Sequence, residues 1–320
     1  MVIYSRIQNS SVQNVSLDAN QQIANLSMLE VGSSGSWGCS VCESKLIQKL
    51  SAFMTLSEAE LSVLERLSKN RRTFVVGRDL IHQGQSDQKA YILNSGWACA
   101  YKILQDGQRQ IVDFQMPGDF MGFRNILLNM SDLSIEPVTD IEVTEINISD
   151  LLGVFDSAPR LMIAVEWALF RDEAVMVEHL IDVARRNSTE RVAHFLLELG
   201  LRLELVGMAN QSGYACPLTQ NLLADAIGLS QAHVNRVLRV LRENGMVTFR
   251  DGFVRFDDYA SLTKFAQFDA TYLDQAAPSL RPSLLFSKVS PRVANTAYKS
   301  TKYSNGGVPG QYELMNSGVS

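Results

Sequence analysis

The sequence lacks several features that would place it in other classes. It has no surplus of positive charge: 29 Lys and Arg stand against 34 Asp and Glu in 320 residues, a formal net charge of −5. Any attraction for nucleic acid must therefore come from a local basic face. No apolar run approaches the length of a membrane span, which argues against a bilayer location. The first residues, MVIYSRIQNSSVQNVSLD, lack the basic end and apolar stretch of a secretory signal. Four cysteines are too few for a disulfide-built framework at this length, and free thiols suit a reducing cytoplasm. Histidine is as scarce. Only His82 falls where β structure is expected, whereas a metal-holding barrel enzyme needs several His and carboxylate ligands converging on strands. A lone histidine there reads as structural, so no catalytic or metal-binding residue is expected.

What is present concentrates in one stretch, LTQNLLADAIGLSQAHVNRVLRVLREN at 218–244. It reads as two short helices joined by a tight turn, the first over about 220–226. Leu222, Leu223 and Ala226 give that helix an apolar side, and small Ala224 allows a close crossing. Gly228 supplies the turn, since a residue without Cβ tolerates its backbone geometry. Ser230 has the hydroxyl to cap the second helix. There Val234, Val237, Leu238 and Leu241 recur at three- and four-residue intervals as one buried stripe. The opposite face carries Gln231, His233, Asn235, Arg236, Arg239 and Arg242. This is the spacing by which a helix-turn-helix presents its second helix to a DNA major groove. The plainer alternative is a packed helix pair with a solvated cationic face. Val247-Thr248-Phe249-Arg250 and Phe253-Val254-Arg255-Phe256 then flank Asp251-Gly252, a two-residue hairpin signal, so the motif is expected to be winged.

Earlier in the chain, residues 1–36 are rich in Ser, Asn and Gln and end in a Gly-Ser cluster. That composition cannot bury enough surface to fold alone and is read as a disordered tail. Trp37-Gly38-Cys39-Ser40-Val41-Cys42 follows, with a Cys-x-x-Cys spacing that suits a metal or redox pair. A closed zinc site would need two further ligands, and no second such pair is present. Unligated thiols, with Cys99 in the core, are the alternative. Leu46, Leu50 and Phe53, then Leu61, Leu64 and Leu67, suggest two short helices separated by the helix-start residues Thr55-Leu56-Ser57-Glu58. From 72 to 147 short strands alternate with Gly77, Gly84, Gly96, Gly107, Gly118 and Gly122, the punctuation of a sandwich or barrel. Ile141-Glu142-Val143-Thr144-Glu145-Ile146 alternates as a strand with one buried face should.

Pro159 opens a long helix that runs to about 187. Met162, Leu169, Met176 and Val183 fall seven apart in it, joined by Val165 and Leu180, a seam that suits a partner helix. Asp172 and His179 interrupt the stripe, and packing only on the chain's own β domain is the alternative. Arg185-Arg186 and Ser188-Thr189 mark its end and a hinge. A further helix over 190–205 carries Val192, Phe195, Leu196, Leu199 and Leu203 on one side. Beyond 268 the chain turns polar and irregular, and 269–320 is read as a second disordered tail.

These parts in this order resemble the Crp/Fnr transcription regulators. The resemblance covers about 45–268. It rests most specifically on Leu80-Ile81-His82-Gln83-Gly84, on Pro117-Gly118-Asp119-Phe120-Met121-Gly122, and on 229–241. It looks especially like the alphaproteobacterial-type members, through Gly96-Trp97-Ala98-Cys99 and His233-Val234-Asn235-Arg236. The resemblance implies an α+β architecture: a cyclic-nucleotide-binding-like β-roll sensor over 37–157, a dimerisation helix over 158–187 and a winged helix-turn-helix over 188–268. It also implies a homodimer, for which the helix offers Met162, Val165, Leu169, Met176, Leu180 and Val183, with recognition helices about 34–36 Å apart. The expected partners are double-stranded DNA, RNA polymerase and a second copy, with no membrane and an unassigned effector. Arg236 matches the family's base-reading arginine, and arginine pairs well with guanine O6 and N7. Gln231, His233 and Asn235 are the other candidates for base edges and Arg239 and Arg242 for phosphates, with Ser230 opening the same surface.

The departures shape the expectation as much as the matches. Cyclic-AMP-binding members carry Glu after the glycine corresponding to Gly122 and an Arg-Ser pair at the cyclic phosphate; here those positions hold Phe123 and Ser131-Asp132. An aspartate repels phosphate, and without the arginine the anion has no bidentate partner. Arg124 is read as a solvated surface residue, and no cyclic-nucleotide response is expected. Oxygen-sensing members hold an iron–sulfur cluster on three clustered N-terminal cysteines and a fourth before the long helix. Here Cys39 and Cys42 stand alone and no cysteine lies between Cys99 and Cys216, so neither a four-thiolate cluster nor another cofactor is expected. A redox switch on Cys39 and Cys42 is the alternative mode of control. Ala232 replaces the Glu of the best-known recognition helices and cannot accept from a cytosine amine, so a different operator is expected. The leading expectation is a DNA-binding activator that recruits RNA polymerase. A β-roll controlling a channel or kinase is disfavoured by the lack of a membrane span or kinase motif.

Overall fold

The computed structural model describes residues 44–86, 89–126, 128 and 130–273. The tail at 1–36, the Cys39 and Cys42 pair, and the chain from 274 onward lie outside them. Two helices come first, α1 (Lys45–Phe53) and α2 (Glu58–Leu67). α2 starts where its sequence demands: the Ser57 hydroxyl accepts from the Glu60 N–H while the Glu60 carboxylate accepts from the Ser57 N–H. Two otherwise orphan donors are satisfied reciprocally.

Seven strands follow: β1 (Arg71–Phe74), β2 (Ala90–Ser95), β3 (Ala98–Ile103), β4 (Arg109–Gln115), β5 (Phe120–Met121), β6 (Ser134–Pro137) and β7 (Ile141–Ile146). They pair antiparallel in two sheets ordered β1-β7-β2-β5 and β4-β3-β6. Gly96 joins β2 to β3 with φ +82°, and a Cβ there would stand 2.3 Å from the Asp140 carbonyl oxygen, so only glycine fits. β7 corrects the expectation of one buried face. Ile141 and Val143 fill the roll interior, while Ile146 joins a second cluster under the helices. His82 also departs from the expected structural role: its side chain is 67% exposed, paired with Asp79 at 2.9 Å.

A helix not anticipated from sequence, α3 (Ile148–Ser157), precedes the long one, with Asn147 and Asp150 capping it reciprocally. The long helix, α4 (Pro159–Arg185), opens on proline, whose missing N–H costs nothing in the first turn. Its first half packs against α1, α3 and Phe120. Met162 and Val165, each 6% exposed, are thus taken up by the subunit's own core and leave the seam assigned to a partner. Leu169 is half-buried; Met176, Leu180 and Val183 are exposed.

α5 (Ser188–Leu205) is capped by the Asn187 side chain, which accepts from the Thr189 and Glu190 N–H groups. Ser188 and Thr189, expected as a hinge, are therefore its first turn. Next come β8 (Ala209–Asn210), β9 (Gly213–Ala215), α6 (Gln220–Ile227), α7 (Gln231–Glu243), β10 (Val247–Arg250), β11 (Phe253–Phe256) and α8 (Tyr259–Phe265). The four strands form a sheet ordered β10-β11-β9-β8. The chain does not become irregular at 269. A 3-10 turn (Ala270–Tyr272) follows, and Leu273 is buried. Arg171 of α4 donates to the Leu273 carbonyl at 2.8 Å and the Tyr272 hydroxyl to Glu198 at 3.1 Å. Three or four anchoring residues are too few to leave a periodic signal. One core continues from Trp97, Cys99, Ile111 and Phe114 of the roll into Leu196, Leu223, Val234 and Leu241 of the winged unit. Among the described residues no helix is long and apolar enough to cross a membrane.

Candidate nucleic-acid interface

The two-helix motif is built by local capping. The Thr219 hydroxyl accepts from the Leu222 N–H at the start of α6. Gly228 ends the helix at φ +68° and ψ +40°, a left-handed conformation in which its N–H returns to the Ala224 carbonyl. The Ser230 hydroxyl then accepts from the His233 N–H to open α7. Val234, Val237, Leu238 and Leu241 of α7 are buried, as their spacing required, whereas in α6 Leu223, Ala224 and Ile227 are buried and Leu222 and Ala226 of the expected apolar side are half-buried. Asp251 and Gly252 both have positive φ, 51° and 74°, which gives the two-residue turn whose twist matches the wing strands.

Burial of that stripe fixes what α7 presents. At about 100° per residue, Ala232, Arg236, Arg239 and Glu243 stand at the centre of the outward face, with Asn235 beside them. Gln231 and Arg242 are exposed on one flank, and His233 lies half-buried on the other. Ser230 is engaged as the cap. The expected residues are thus brought to one helix but not to one spot. Among the described residues the Arg236, Arg239 and Arg242 guanidiniums have no hydrogen-bond or ion-pair partner. The wing arginines differ: Arg255 is tied to Asp257 at 2.7 Å, and Arg250 faces Asp251 at 3.6 Å. Three unspent, planar donor groups on one solvated helix are suited to guanine edges and phosphates.

Behind this face lies a buried ionic network that no sequence motif announced. Arg202 of α5 donates to Asp113 at 2.8 Å, to the Phe114 carbonyl at 2.9 Å and to Asp119 at 3.2 Å, joining the winged unit to the roll. Lys49 of α1 meets Asp119 at 2.7 Å and Asp172 of α4 at 3.3 Å. His179 has Nε2 2.9 Å from Glu198 and Nδ1 3.4 Å from the Val112 carbonyl. Burial works to lower the His179 imidazole, but the charge and hydrogen bond of Glu198, with Asp113 behind, raise it to about 9. Burial pushes Asp172 up to about 6, against the pull of Lys49 and with repulsion from Asp119. The polar breaks in the apolar stripe of α4 were their only trace in the sequence.

A cleft of about 640 Å³ opens among the roll, α3 and α4. Its walls are largely apolar, with Phe123, Ile135, Leu152, Phe155 and Leu169 among them. Phe123 packs on Phe120 with ring centroids 4.7 Å apart. Arg124 pairs with Asp132 at 3.3 Å, and the Ser131 hydroxyl donates to the Leu133 carbonyl while accepting from Asn125.

Comparison with known proteins accounts for both halves of this arrangement. A Cyclic nucleotide-binding domain matches residues 71–158 and a Crp-like helix-turn-helix domain matches 190–265, together just over half of the chain. The chain belongs to the Crp/Fnr family of transcription regulators. The Nitrogen fixation regulation protein FixK of Bradyrhizobium diazoefficiens is 26% identical over 226 residues, 70% of this chain and 93% of that relative. The Anaerobic regulatory protein of Pasteurella multocida is 24% identical over 233 residues, 72% of this chain and 85% of that protein. The structure of FixK2 from Bradyrhizobium japonicum shares the fold, with a TM-score of 0.53 at 24% identity over 61% of this chain and 96% of that one. This Crp/Fnr protein is accordingly a DNA-binding regulator and not an enzyme.

The family's cyclic-nucleotide fold does not bring the ligand's chemistry with it. Among the described residues Arg124 is the one Lys or Arg of the cleft wall, already paired, against Asp113, Asp132, Glu166, Asp172 and Glu173. A cyclic phosphate would meet carboxylates and an engaged guanidinium, so the residues present do not fit it. Cys99 and Cys216 are both buried. Burial pushes both thiols up, Cys216 to about 12, which leaves them as poor metal ligands and slow redox groups.

Proposed function

We propose that this regulator acts in the cytoplasm as a homodimer on an inverted-repeat operator and activates transcription by recruiting RNA polymerase. On this reading it needs neither a cyclic nucleotide nor an iron–sulfur cluster. The observation that carries the dimer is the bare apolar face on the second half of α4. Phe170 and Leu180 are 65% and 69% exposed, and Met176, Val177, Ile181 and Val183 accompany them. Apolar residues at three- and four-residue spacing on a long helix are what a partner helix covers. Phe170, Val177 and Ile181 thus take the places that Met162 and Val165 leave. Pairing brings two free arginine faces together, which suits half-sites about 34–36 Å apart. Within each half-site Arg236 is assigned to a guanine, Gln231 and Asn235 to neighbouring base edges, and Arg239 and Arg242 to phosphates. The acidic, apolar cleft supports independence from cyclic nucleotides, and family membership supports activation through RNA polymerase.

Sedimentation and DNA binding of Leu180→Glu test the proposal. The wild-type protein is expected to sediment as a dimer. The variant should be a monomer that loses the inverted repeat while keeping weak half-site binding. A wild-type monomer at concentrations that saturate the operator would overturn it.

A further inference from the structure

α6 is held at its turn end by residues from two other parts of the chain. Arg109, the first residue of β4, donates through Nε to the Asp225 carboxylate at 2.9 Å, and a second guanidinium nitrogen lies 2.9 Å from the same oxygen. Its third nitrogen is fixed on Glu136 of β6, and the guanidinium lies over the Tyr101 ring at 5.4 Å, so the donor is oriented from three sides. Gln110, the next residue, donates to the Ala226 carbonyl at 3.1 Å. Arg191 of α5 donates to the Ile227 carbonyl at 2.8 Å and, on its other side, to the carbonyls of Asp182, Val183 and Arg186 at the end of α4.

The last carbonyls of a helix have no partner within it and carry the negative end of its dipole. In α6 those groups are taken by a strand of the roll and by the helix joint, beside the Gly228 turn that aims α7. Arg236, Arg239 and Arg242 meanwhile remain free and exposed, so this mounting fixes the reader without covering it. β4 is also a wall of the cleft, through Val112, Asp113 and Gln115.

We propose that Arg109 and Gln110 are positioning residues for DNA reading, which set the angle of the recognition helix from the sensor roll of the same subunit. The inference rests on the dimeric reading above, because an angle matters only when two helices must meet two half-sites together. A loosened mounting should leave one helix able to read one half-site and relax the spacing at which two can bind.

The test uses the full-length protein and the half-site enriched from random DNA by the wild type. Affinity is measured for that half-site alone and for inverted repeats whose spacing changes one base pair at a time. The wild type should prefer one spacing over its neighbours. In Arg109→Met that preference should fall by about tenfold, the scale of a lost charge-assisted hydrogen bond, with half-site affinity within error of wild type and the melting temperature lower by only a few degrees. Asp225→Ala, which removes the acceptor from the reader's side, should give the same profile, and the double variant should add nothing. Arg109→Lys, which keeps a charge, should recover part of the preference.

Unchanged spacing preference in Asp225→Ala would overturn the proposal, as would half-site affinity falling in step with stability in both single variants. A wild-type protein that binds half-sites but shows no spacing preference would overturn the dimeric reading, and this proposal with it.

Discussion

Replacing His179 with glutamine should flatten one limb of the protein's stability-versus-pH profile, and the structure sets both its direction and its size. The imidazole bridges α4, the Glu198 carboxylate of α5 and the Val112 carbonyl of β4, so as a cation it can donate from both ring nitrogens. Its pKa rises from an ordinary 6.5 to about 9. Below pH 6.5 folded and unfolded chains both hold the proton, and the full stabilisation is present. As pH rises from there the unfolded chain releases the proton first, and the contribution is lost as pH passes through about 9. At about 1.4 kcal/mol per pKa unit, the loss is on the order of 3 kcal/mol. Urea denaturation at fixed protein concentration, at pH 6 and pH 9.5, measures it. Wild type should lose about 3 kcal/mol more than His179→Gln across that interval, and the two should converge at the alkaline end. Parallel profiles would refute the pairing of His179 with Glu198 as a charged contact.

Arg236→Ala should cost about 1–3 kcal/mol of DNA binding and relax one base position; uniform loss across sequences would make it a phosphate contact instead. Gly228→Ala meets no atom within 4 Å, so only the left-handed backbone is strained, at about 1–2 kcal/mol in urea denaturation. Calorimetric titration with cyclic AMP or cyclic GMP should give no heat of binding, and micromolar affinity would contradict the account of the cleft. A Cys39→Ser, Cys42→Ser double variant should bind DNA like wild type in air and under anoxia, and a difference confined to one condition would establish the thiol switch.

The reading motif was legible in the sequence because its demands are local: a cap at Ser230, a glycine at 228 and an apolar stripe along α7 each follow from neighbours along the chain. The wing was legible for the same reason, since Asp251-Gly252 determines its own turn. What escaped depends on contacts between distant segments. Arg109 and Asp225 are 116 positions apart, and neither has a motif around it. Asp172 and His179 registered only as breaks in a stripe, and only the fold reveals that they face Lys49 and Glu198. Met162 and Val165 have the same apolar spacing as Leu180. Periodicity identifies a buried face but not which body buries it, so the seam could not be divided before the roll and α3 were in place. The Phe268 to Leu273 anchor is too short for any periodic signal.

Reading of an inverted repeat by a dimer, without a nucleotide signal, is the property on which the rest depends. Selection from random-sequence DNA with purified full-length protein, with and without added cyclic AMP, tests it most directly. One enriched inverted repeat is expected, with half-sites about one helical turn apart, recovered equally in both conditions. No enriched repeat, or one recovered only with cyclic AMP, would contradict it.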